Sequence, residues 1–357
     1  MKFSIKRSLL LDALNKVSHG LSSKTPMPVL TGIKIDAFLD SLTFTTSNRE
    51  ISVQVKLEQN PDFEIEEEGK CVVPGKYFID IAKKIAEDKI NFVLFEESTI
   101  KITTEKTDFT LVALNQADFP LISFDKIGDP VSISSKELKQ TIKQTNFAAG
   151  TSESRVILTG VCFEVDENKL IVTATDSYRL AKKEILLSQD YPHLKIIIPN
   201  KALEELEKVL EDDDKEVLIY LISNKALIIY NDIAFITRLI EGNYPDTSGL
   251  FPRDQLTSLK FKKNDLLSTV DRASLVTNLD ATNIIKVIIK SNKSVQIASN
   301  TNEIGRVIEE VIPLNEPSIS SFQTAFSAKY FLEAIKAFDG SEIDVKFTGE
   351  IKPFVIS

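Results

Sequence analysis

A chain of 357 residues, 43% apolar and 27% charged, has room for two or three globular domains. Its two cysteines (Cys71, Cys162) and two histidines (His19, His193) exclude a disulfide framework, a thiolate zinc site and a histidine-rich metal centre. A formal net charge of −9 excludes a uniformly basic nucleic-acid binder but allows a local basic surface.

In chain order, residues 1–6 lack the apolar core of a signal peptide, and no later apolar run reaches the length of a bilayer span. A cytoplasmic protein with no membrane partner is expected. Residues 4–17 read as a first helix, with Leu10, Leu14 and Val17 on one face. Val29-Leu30-Thr31-Gly32-Ile33 and the alternation Leu42-Thr43-Phe44-Thr45 predict strands. The acidic run 64–68 predicts a solvated loop. Cys71-Val72-Val73-Pro74 predicts a short strand that leads into a helix over 75–88, anchored by Phe78, Ile81 and Ile85. A helix over 134–147 carries Leu138 and Ile142, with Ser134 and Glu137 at capping-box spacing. Leu170-Ile171-Val172-Thr173 predicts a strand that ends in the polar stretch Thr175-Asp176-Ser177-Tyr178-Arg179-Leu180. Ile196-Ile197-Ile198-Pro199 leads into a helix over 200–213 with Leu203, Leu206 and Leu210, and the acidic residues 211–214 predict another solvated loop. A helix over 262–275 carries Leu266 and Val270, with Asn264 as its expected cap. Val295-Gln296-Ile297-Ala298 predicts a strand, and Ala325-Phe326 precedes a helix over 327–340 with Phe331, Ala334 and Phe338.

These elements repeat three times. The helices starting near 75, 200 and 327 share anchor offsets of 0, 3 and 7, and each has a lysine two positions ahead of the first anchor. Those lysines, Lys76, Lys201 and Lys329, recur at a nearly constant interval. At the same interval, Val29-Leu30-Thr31-Gly32-Ile33 returns as Ile157-Leu158-Thr159-Gly160-Val161, and Asp118-Phe119-Pro120 returns as Asn243-Tyr244-Pro245. The expected fold class is α+β: three domains, 1–126, 127–254 and 255–357, each with two helices packed on antiparallel sheets. Pro120 follows Lys76 at the spacing with which Pro245 follows Lys201, and Ser357 comes before the third unit, counted from Lys329, completes that spacing. The third unit is expected to lack its last strand and turn.

Catalytic chemistry finds no support. There is no phosphate-binding loop of the Gly-x-x-x-x-Gly-Lys type, no Gly-x-Gly-x-x-Gly, and no His-Glu-x-x-His. A Ser/His/acid triad would rest on His19 or His193, both expected to be surface or structural residues. Charge placement says more. Segments 4–17, 134–147 and 262–275 carry +2, +2 and +1 in an acidic chain, which suits a lining that meets phosphate backbone without reading bases. Ordinary solvated helix faces would look the same. The polar turns at Ser47-Asn48-Arg49-Glu50 and Asn300-Thr301-Asn302-Glu303 occupy the place of the 175–180 stretch in their repeats and keep the polar turn but not its chemistry. What occurs in one repeat only is better assigned to a job, and Asp176 reads as a turn-holding carboxylate rather than a general acid.

The three-fold repeat, Thr175-Asp176-Ser177-Tyr178-Arg179-Leu180, Ala117-Asp118-Phe119-Pro120, Gly242-Asn243-Tyr244-Pro245-Asp246, the opening Met1-Lys2-Phe3 and Met27-Pro28-Val29-Leu30 together resemble the bacterial DNA polymerase III beta subunit family, the sliding clamps, over essentially the whole chain. The resemblance implies a non-enzymatic, cofactor-free homodimer, closed head to tail into a ring of six domains around duplex DNA. It implies as partners the replicative polymerase alpha subunit, a clamp loader and other proteins with a clamp-binding motif. Helix geometry agrees. Six helices packed ~10 Å apart enclose a bore of only ~9 Å, whereas twelve enclose ~28 Å, enough for a duplex roughly 20 Å wide and a water layer.

By position, the resemblance also implies a partner-peptide pocket between the second and third domains. Leu158, Thr175, Leu180, Pro245 and Leu250 would form its floor and wall. Ser177, Tyr178 and Arg179 would form its rim, with Arg179 offering hydrogen bonds, and Tyr330 and Pro353 would border it. Lys24, Lys76, Lys136, Lys139, Lys143, Lys201 and Lys329 would face DNA. Phe109 and Leu111 of one subunit would meet Leu275 and Val276 of the other. No catalytic or metal-binding residue is implied. Ser177-Tyr178 departs from the Gly-His-like pair of many relatives, and the family's closing apolar-Pro-x-Arg tail is not seen before Ser357. A clamp-like scaffold that binds partner peptides without encircling DNA is the alternative.

Overall fold

A computed structural model describes the chain except residues 23, 97, 253, 278–282, 291–293 and 302–303. The expected turn residues Asn302 and Glu303 lie outside the described residues. Two compact units result: Met1–Ile142 with Thr151–Thr173 and Lys183–Gly242, and Lys143–Gly150 with Ala174–Lys182 and Asn243–Ser357.

The first repeat runs β1 (Lys2–Lys6), α1 (Arg7–Val17), β2 (Gly32–Phe38), β3 (Ser41–Ser47), β4 (Ile51–Glu58), β5 (Phe63–Glu67), β6 (Gly69–Pro74), α2 (Gly75–Lys84), β7 (Lys89–Phe95), β8 (Thr99–Thr103) and β9 (Asp108–Val112). The second runs β10 (Val131–Ser134), α3 (Ser135–Thr145), β11 (Gly160–Thr175), β12 (Leu180–Pro199), α4 (Asn200–Val209), β13 (Glu216–Ile222), β14 (Lys225–Tyr230) and β15 (Ile233–Arg238). The third runs β16 (Thr257–Lys262), α5 (Lys263–Ser274), β17 (Ile284–Ile289), β18 (Val295–Thr301), β19 (Gly305–Val311), β20 (Phe322–Ser327), α6 (Ala328–Ala337), β21 (Glu342–Phe347) and β22 (Phe354–Ile356).

In the first unit, one eight-stranded antiparallel sheet, β10-β13-β14-β15-β4-β3-β2-β6, joins the first two repeats. The join pairs β4 with β15, setting Val53 opposite Phe235 and Val55 opposite Ile233, all four buried. These β-branched and aromatic cross-strand pairs weld the repeats through backbone ladder and apolar contact together. A five-stranded sheet, β5-β1-β7-β8-β9, completes the first repeat, with Phe3 stacked on Phe92 at 4.7 Å between centroids. In the second unit the third repeat forms the sheets β16-β21-β22 and β19-β18-β17-β20. Phe322, Phe331 and Phe347 are buried there, and half-buried Phe354 of β22 packs against Phe326, Phe331 and Phe347.

Five local expectations need correction. Residues 29–31 lie in a 3-10 turn, Pro28–Thr31, and only Gly32 and Ile33 of that run belong to β2. Residues 4–6 are strand, not helix, because Ser4 and Ile5 pair with β5 and β7, and tertiary pairing overrides the helical spacing. The acidic run 64–68 is mostly the edge strand β5, in which Phe63 is buried and glutamates face water. Charge on an edge discourages unwanted pairing. Asn264 does not cap α5; it lies in the first turn, Lys262 is the N-cap, and no side chain caps the helix. Helices α2, α4 and α6 end before their third apolar anchor, so Ile85, Leu210 and Phe338 are C-cap residues. One half of the Ser134–Glu137 box forms, the Glu137 N–H donating to Ser134 Oγ at 3.3 Å, while the Glu137 carboxylate accepts from that hydroxyl at 2.8 Å.

One device recurs in all three repeats. A cation on the first helix donates to a carbonyl at the C-terminus of the second. Arg7 donates from Nε and Nη2 to the carbonyls of Ala82 (3.2 Å) and Lys83 (2.9 Å). Lys139 Nζ donates to the Leu210 carbonyl at 2.7 Å, and Lys263 Nζ donates to the Phe338 carbonyl. Each satisfies a carbonyl that the helix leaves open and meets the negative end of its dipole.

Candidate functional site

The site starts with a backbone turn between β11 and β12. Thr175 Oγ1 accepts from the Ser177 N–H (3.1 Å) and donates to the Arg179 carbonyl (2.6 Å). Asp176 Oδ1 accepts from the N–H groups of Tyr178 (2.9 Å) and Arg179 (3.0 Å). Ser177 has φ +78°, a left-handed conformation, in the centre of the turn. The first repeat builds the same turn. Ser47 Oγ accepts from the Arg49 N–H, Asn48 Oδ1 accepts from the N–H groups of Glu50 and Ile51, and Arg49 has φ +79°. The turn and its Asx side chain therefore belong to the fold, which fits the reading of Asp176 as a turn-holder. What differs is the next residue: Ile51 is buried core in the first repeat, whereas the second has Arg179.

Arg179 is tightly held within the second unit. Its Nε donates to Asp176 Oδ2 at 3.1 Å and its Nη1 donates to Glu333 Oε2. The guanidinium carbon sits 4.2 Å from the Tyr330 ring centre and 5.4 Å from that of Phe147. Tyr330 and Glu333 are three residues apart on α6, so one helix face supplies both. Ser327 starts that helix as N-cap, accepting from the Tyr330 N–H. Arg179 is only 17% exposed, so the expected rim donor is largely committed to its own protein. Beside it, Tyr178 is 85% exposed. Thr175 is buried, and its N–H donates to the Tyr244 hydroxyl at 3.0 Å.

Of the remaining pocket residues, Leu180 and Tyr330 are half-buried, Pro245 and Pro353 are exposed, and Leu250 is 59% exposed. Leu158 is buried in the first unit. Sequence reasoning missed Phe147, Tyr244 and Glu333 as parts of this site. In sequence Tyr244 stands out as a repeat marker and as part of the family-like 242–246 run, not as a partner of Thr175, and nothing local distinguishes Glu333 from other helix-surface glutamates.

The lysines divide. Lys24, Lys76, Lys136, Lys201 and Lys329 are exposed. Lys143 pairs with Asp339 at 3.1 Å, and Lys139 is engaged by Leu210. Phe109 and Leu111 alternate half-buried along β9, an end strand of its sheet. Leu275, 64% exposed, and Val276, half-buried, follow α5. His19 Nδ1 lies 2.7 Å from Glu205, joining the first two repeats, and His193 is exposed. Burial pushes the Cys71 thiol up to about 12 and that of Cys162 to about 11, so neither is a nucleophile. Among the described residues no cluster of His, Cys, Asp and Glu could hold a metal ion, and no helix is long and apolar enough to cross a membrane.

Comparison with known proteins gives a consistent picture. Profiles of the DNA polymerase III beta subunit match in sequence: its N-terminal domain over residues 1–123, its central domain over 132–246 and its C-terminal domain over 248–357. The beta sliding clamp of Staphylococcus epidermidis is 39% identical over 360 residues, spanning 100% of this chain and 95% of the relative. That of Staphylococcus aureus is 38% identical over the same shares. The DNA polymerase sliding clamp from Bacillus subtilis superposes with a TM-score of 0.93 at 35% identity, covering 100% of this chain and 95% of that one. The DNA polymerase III beta chain from Streptococcus pneumoniae gives 0.94 at 31% identity with the same coverage.

Proposed function

The chain belongs to the DNA polymerase III beta-subunit family, the sliding clamps, and we propose that two copies close into a ring around duplex DNA and dock partner peptides at the turn 175–180. The family role is that of a processivity factor: a non-catalytic subunit of the polymerase III holoenzyme that works with DNA and polymerase. The observation that carries the ring reading is the succession of three clamp-domain matches along one chain. The proposed domains are 1–126, 127–254 and 255–357, the compartment is the cytoplasm, and the specific partners are the replicative polymerase alpha subunit, the clamp loader and other proteins with a clamp-binding motif.

The internal symmetry supports a seam. Within the chain, β4 of the first repeat pairs with β15, the last strand of the second. Their counterparts are β19 in the third repeat and β9 in the first, and each ends its sheet. Repeating the β4–β15 junction between two protomers joins β9 to the partner's β19 head to tail, a heterologous contact that closes after two copies. Phe109 and Leu111 on β9, with Leu275 and Val276 beyond α5, are the residues assigned to it.

Sliding requires phosphate contact with no base readout. Lys24, Lys76, Lys136, Lys201 and Lys329 are available for it as exposed cations. Lys143 joins them by exchanging Asp339 for phosphate, and Lys139 serves α4 instead. In the docking site, Leu180, Pro245 and Leu250 offer apolar surface for anchor side chains, over a floor to which buried Thr175 is assigned. Ser177 and Tyr178 form the rim, Tyr330 and Pro353 border it, and Leu158 is assigned by family resemblance alone. Because most peptide affinity comes from a few anchors, truncating one wall residue should be visible.

Sedimentation and peptide titration test this together. The wild-type chain should sediment as a dimer at micromolar concentration and bind a polymerase-derived peptide. Arg179→Ala and Leu180→Ala should each weaken the peptide about tenfold while leaving the dimer intact. Unchanged affinity in both variants removes the site, and a monomer that never loads on DNA removes the ring.

A further inference from the structure

We propose, resting on the reading of turn 175–180 as a peptide-docking site, that Glu333 is a specificity-determining residue that turns this rim against acidic side chains. A lone arginine at the edge of a peptide site attracts carboxylates. Here Arg179 already has two of its own, Asp176 and Glu333, so these three side chains sum to one negative charge, with Lys329 and Lys336 exposed one turn to either side of Glu333 on α6. The Tyr330 and Phe147 rings also lie against the guanidinium, 4.2 and 5.4 Å from its carbon. Exposure sets the sign of what a partner meets: the side chains of Asp176 and Arg179 are 12% and 17% exposed, whereas Glu333 is 34% exposed. Of these three, the charge on display is the carboxylate. The cation stands behind it as the group that fixes its position, and Tyr330 and Glu333 ride on the same face of α6. The rim therefore disfavours a peptide with Asp or Glu beside its apolar anchors and favours one with Lys or Arg there. Discrimination of this kind, by a repulsive element, needs no contact beyond the anchors.

Three synthetic nonapeptides test it. They share Leu and Phe anchors and differ at one flanking position: Asp, Ser or Lys. Wild-type protein at low salt should bind them in the order Lys, Ser, Asp, with about three- to tenfold between neighbours, the size expected for one unit charge at a partly exposed site. Glu333→Gln, which keeps an acceptor for Arg179, should raise affinity for the Asp peptide by a similar factor, lower it for the Lys peptide, and leave the Ser peptide within about twofold. Salt near 1 M should collapse all three differences. A role in merely holding Arg179 would shift the three peptides together. A common shift, or no shift, in Glu333→Gln overturns the inference and leaves the docking site standing, as does a wild-type order independent of the flanking charge. Failure of all three peptides to bind wild type overturns both.

Discussion

Lys139 and Lys136 stand three residues apart on α3; the first is engaged at a helix end, and the second is exposed and open to the DNA-facing role proposed for it. Lys139 Nζ donates to the Leu210 carbonyl at 2.7 Å in a partly buried setting, beyond the last turn of α4. A hydrogen bond from a charged donor contributes about 1.5–3 kcal/mol, and a cation at a helix C-terminus about 0.3–1 kcal/mol. The two overlap, and partial exposure weakens both, so Lys139→Met should cost about 1–2 kcal/mol while its apolar stem is retained. In a cooperative unit of this size that lowers the melting temperature by about 2–8 °C. Lys136 is exposed, and Lys136→Met should leave stability within about 0.5 kcal/mol. The readout on DNA reverses. Removing one phosphate contact reduces the slope of log K against log salt by about 0.9, so Lys136→Met should flatten it and Lys139→Met should not. Thermal unfolding at fixed ionic strength and salt titrations of duplex binding provide both numbers. If Lys139→Met melts with wild type and flattens the salt dependence, the assignment of Lys139 to the fold is wrong.

Four further outcomes can be measured. Leu275→Ala with Val276→Ala should raise the dimer dissociation constant at least tenfold by sedimentation without changing peptide affinity. Burial pushes the Glu205 carboxyl up, but hydrogen bonds from Lys208 and His19 outweigh it and hold the group below its ordinary 4.5. A carboxylate with a depressed pKa stabilises the fold above its unfolded pKa and loses that contribution as pH falls through the folded one. Glu205→Gln should therefore be less stable than wild type at pH 5–7, with the gap closing below about pH 4 in urea titrations. Cys71 and Cys162 should resist a thiol reagent at pH 8 in the native protein and react only on unfolding; rapid native labelling would contradict their burial. Ser177→Gly should stabilise the protein by about 0.5–1 kcal/mol, because glycine takes φ +78° without the steric cost of a side chain; a loss of stability would mean that the serine side chain matters more than the backbone.

The repeats were readable because each must bury the same helix face. The anchors Phe78, Leu203 and Phe331 are indeed buried in α2, α4 and α6. Strand ladders left a weaker trace. Nothing in Ile51-Ser52-Val53-Gln54-Val55 says that its neighbour is β15, a whole repeat further along the chain, because register and partner are set by the sheet, not by the strand. The helix starting at residue 4 was overdrawn for the same reason: Ser4 and Ile5 carry helical spacing, but two neighbouring strands claim them. At the site, the polar turn was visible, and its backbone role could be guessed from Asp176. Its recurrence at Ser47-Asn48-Arg49-Glu50 was visible as a polar turn, but not that Asn48 and Asp176 hold it by the same backbone contacts. The commitment of Arg179 to Glu333, 154 residues away, was out of reach of any local pattern. A lysine that serves a helix end, such as Lys139, looks in sequence like any solvated one.

The most direct measurement is retention on DNA of defined topology. Labelled protein is loaded onto a nicked circular plasmid by a clamp loader with ATP, separated by gel filtration, and then challenged with a restriction enzyme that cuts the circle once. A closed ring around the duplex stays with the circle at a salt concentration that strips ordinary phosphate binders, and leaves within minutes of linearisation. Equal retention on circular and linear DNA, or none on either from a dimer that still binds its partner peptide, would contradict encirclement and leave a peptide-binding scaffold.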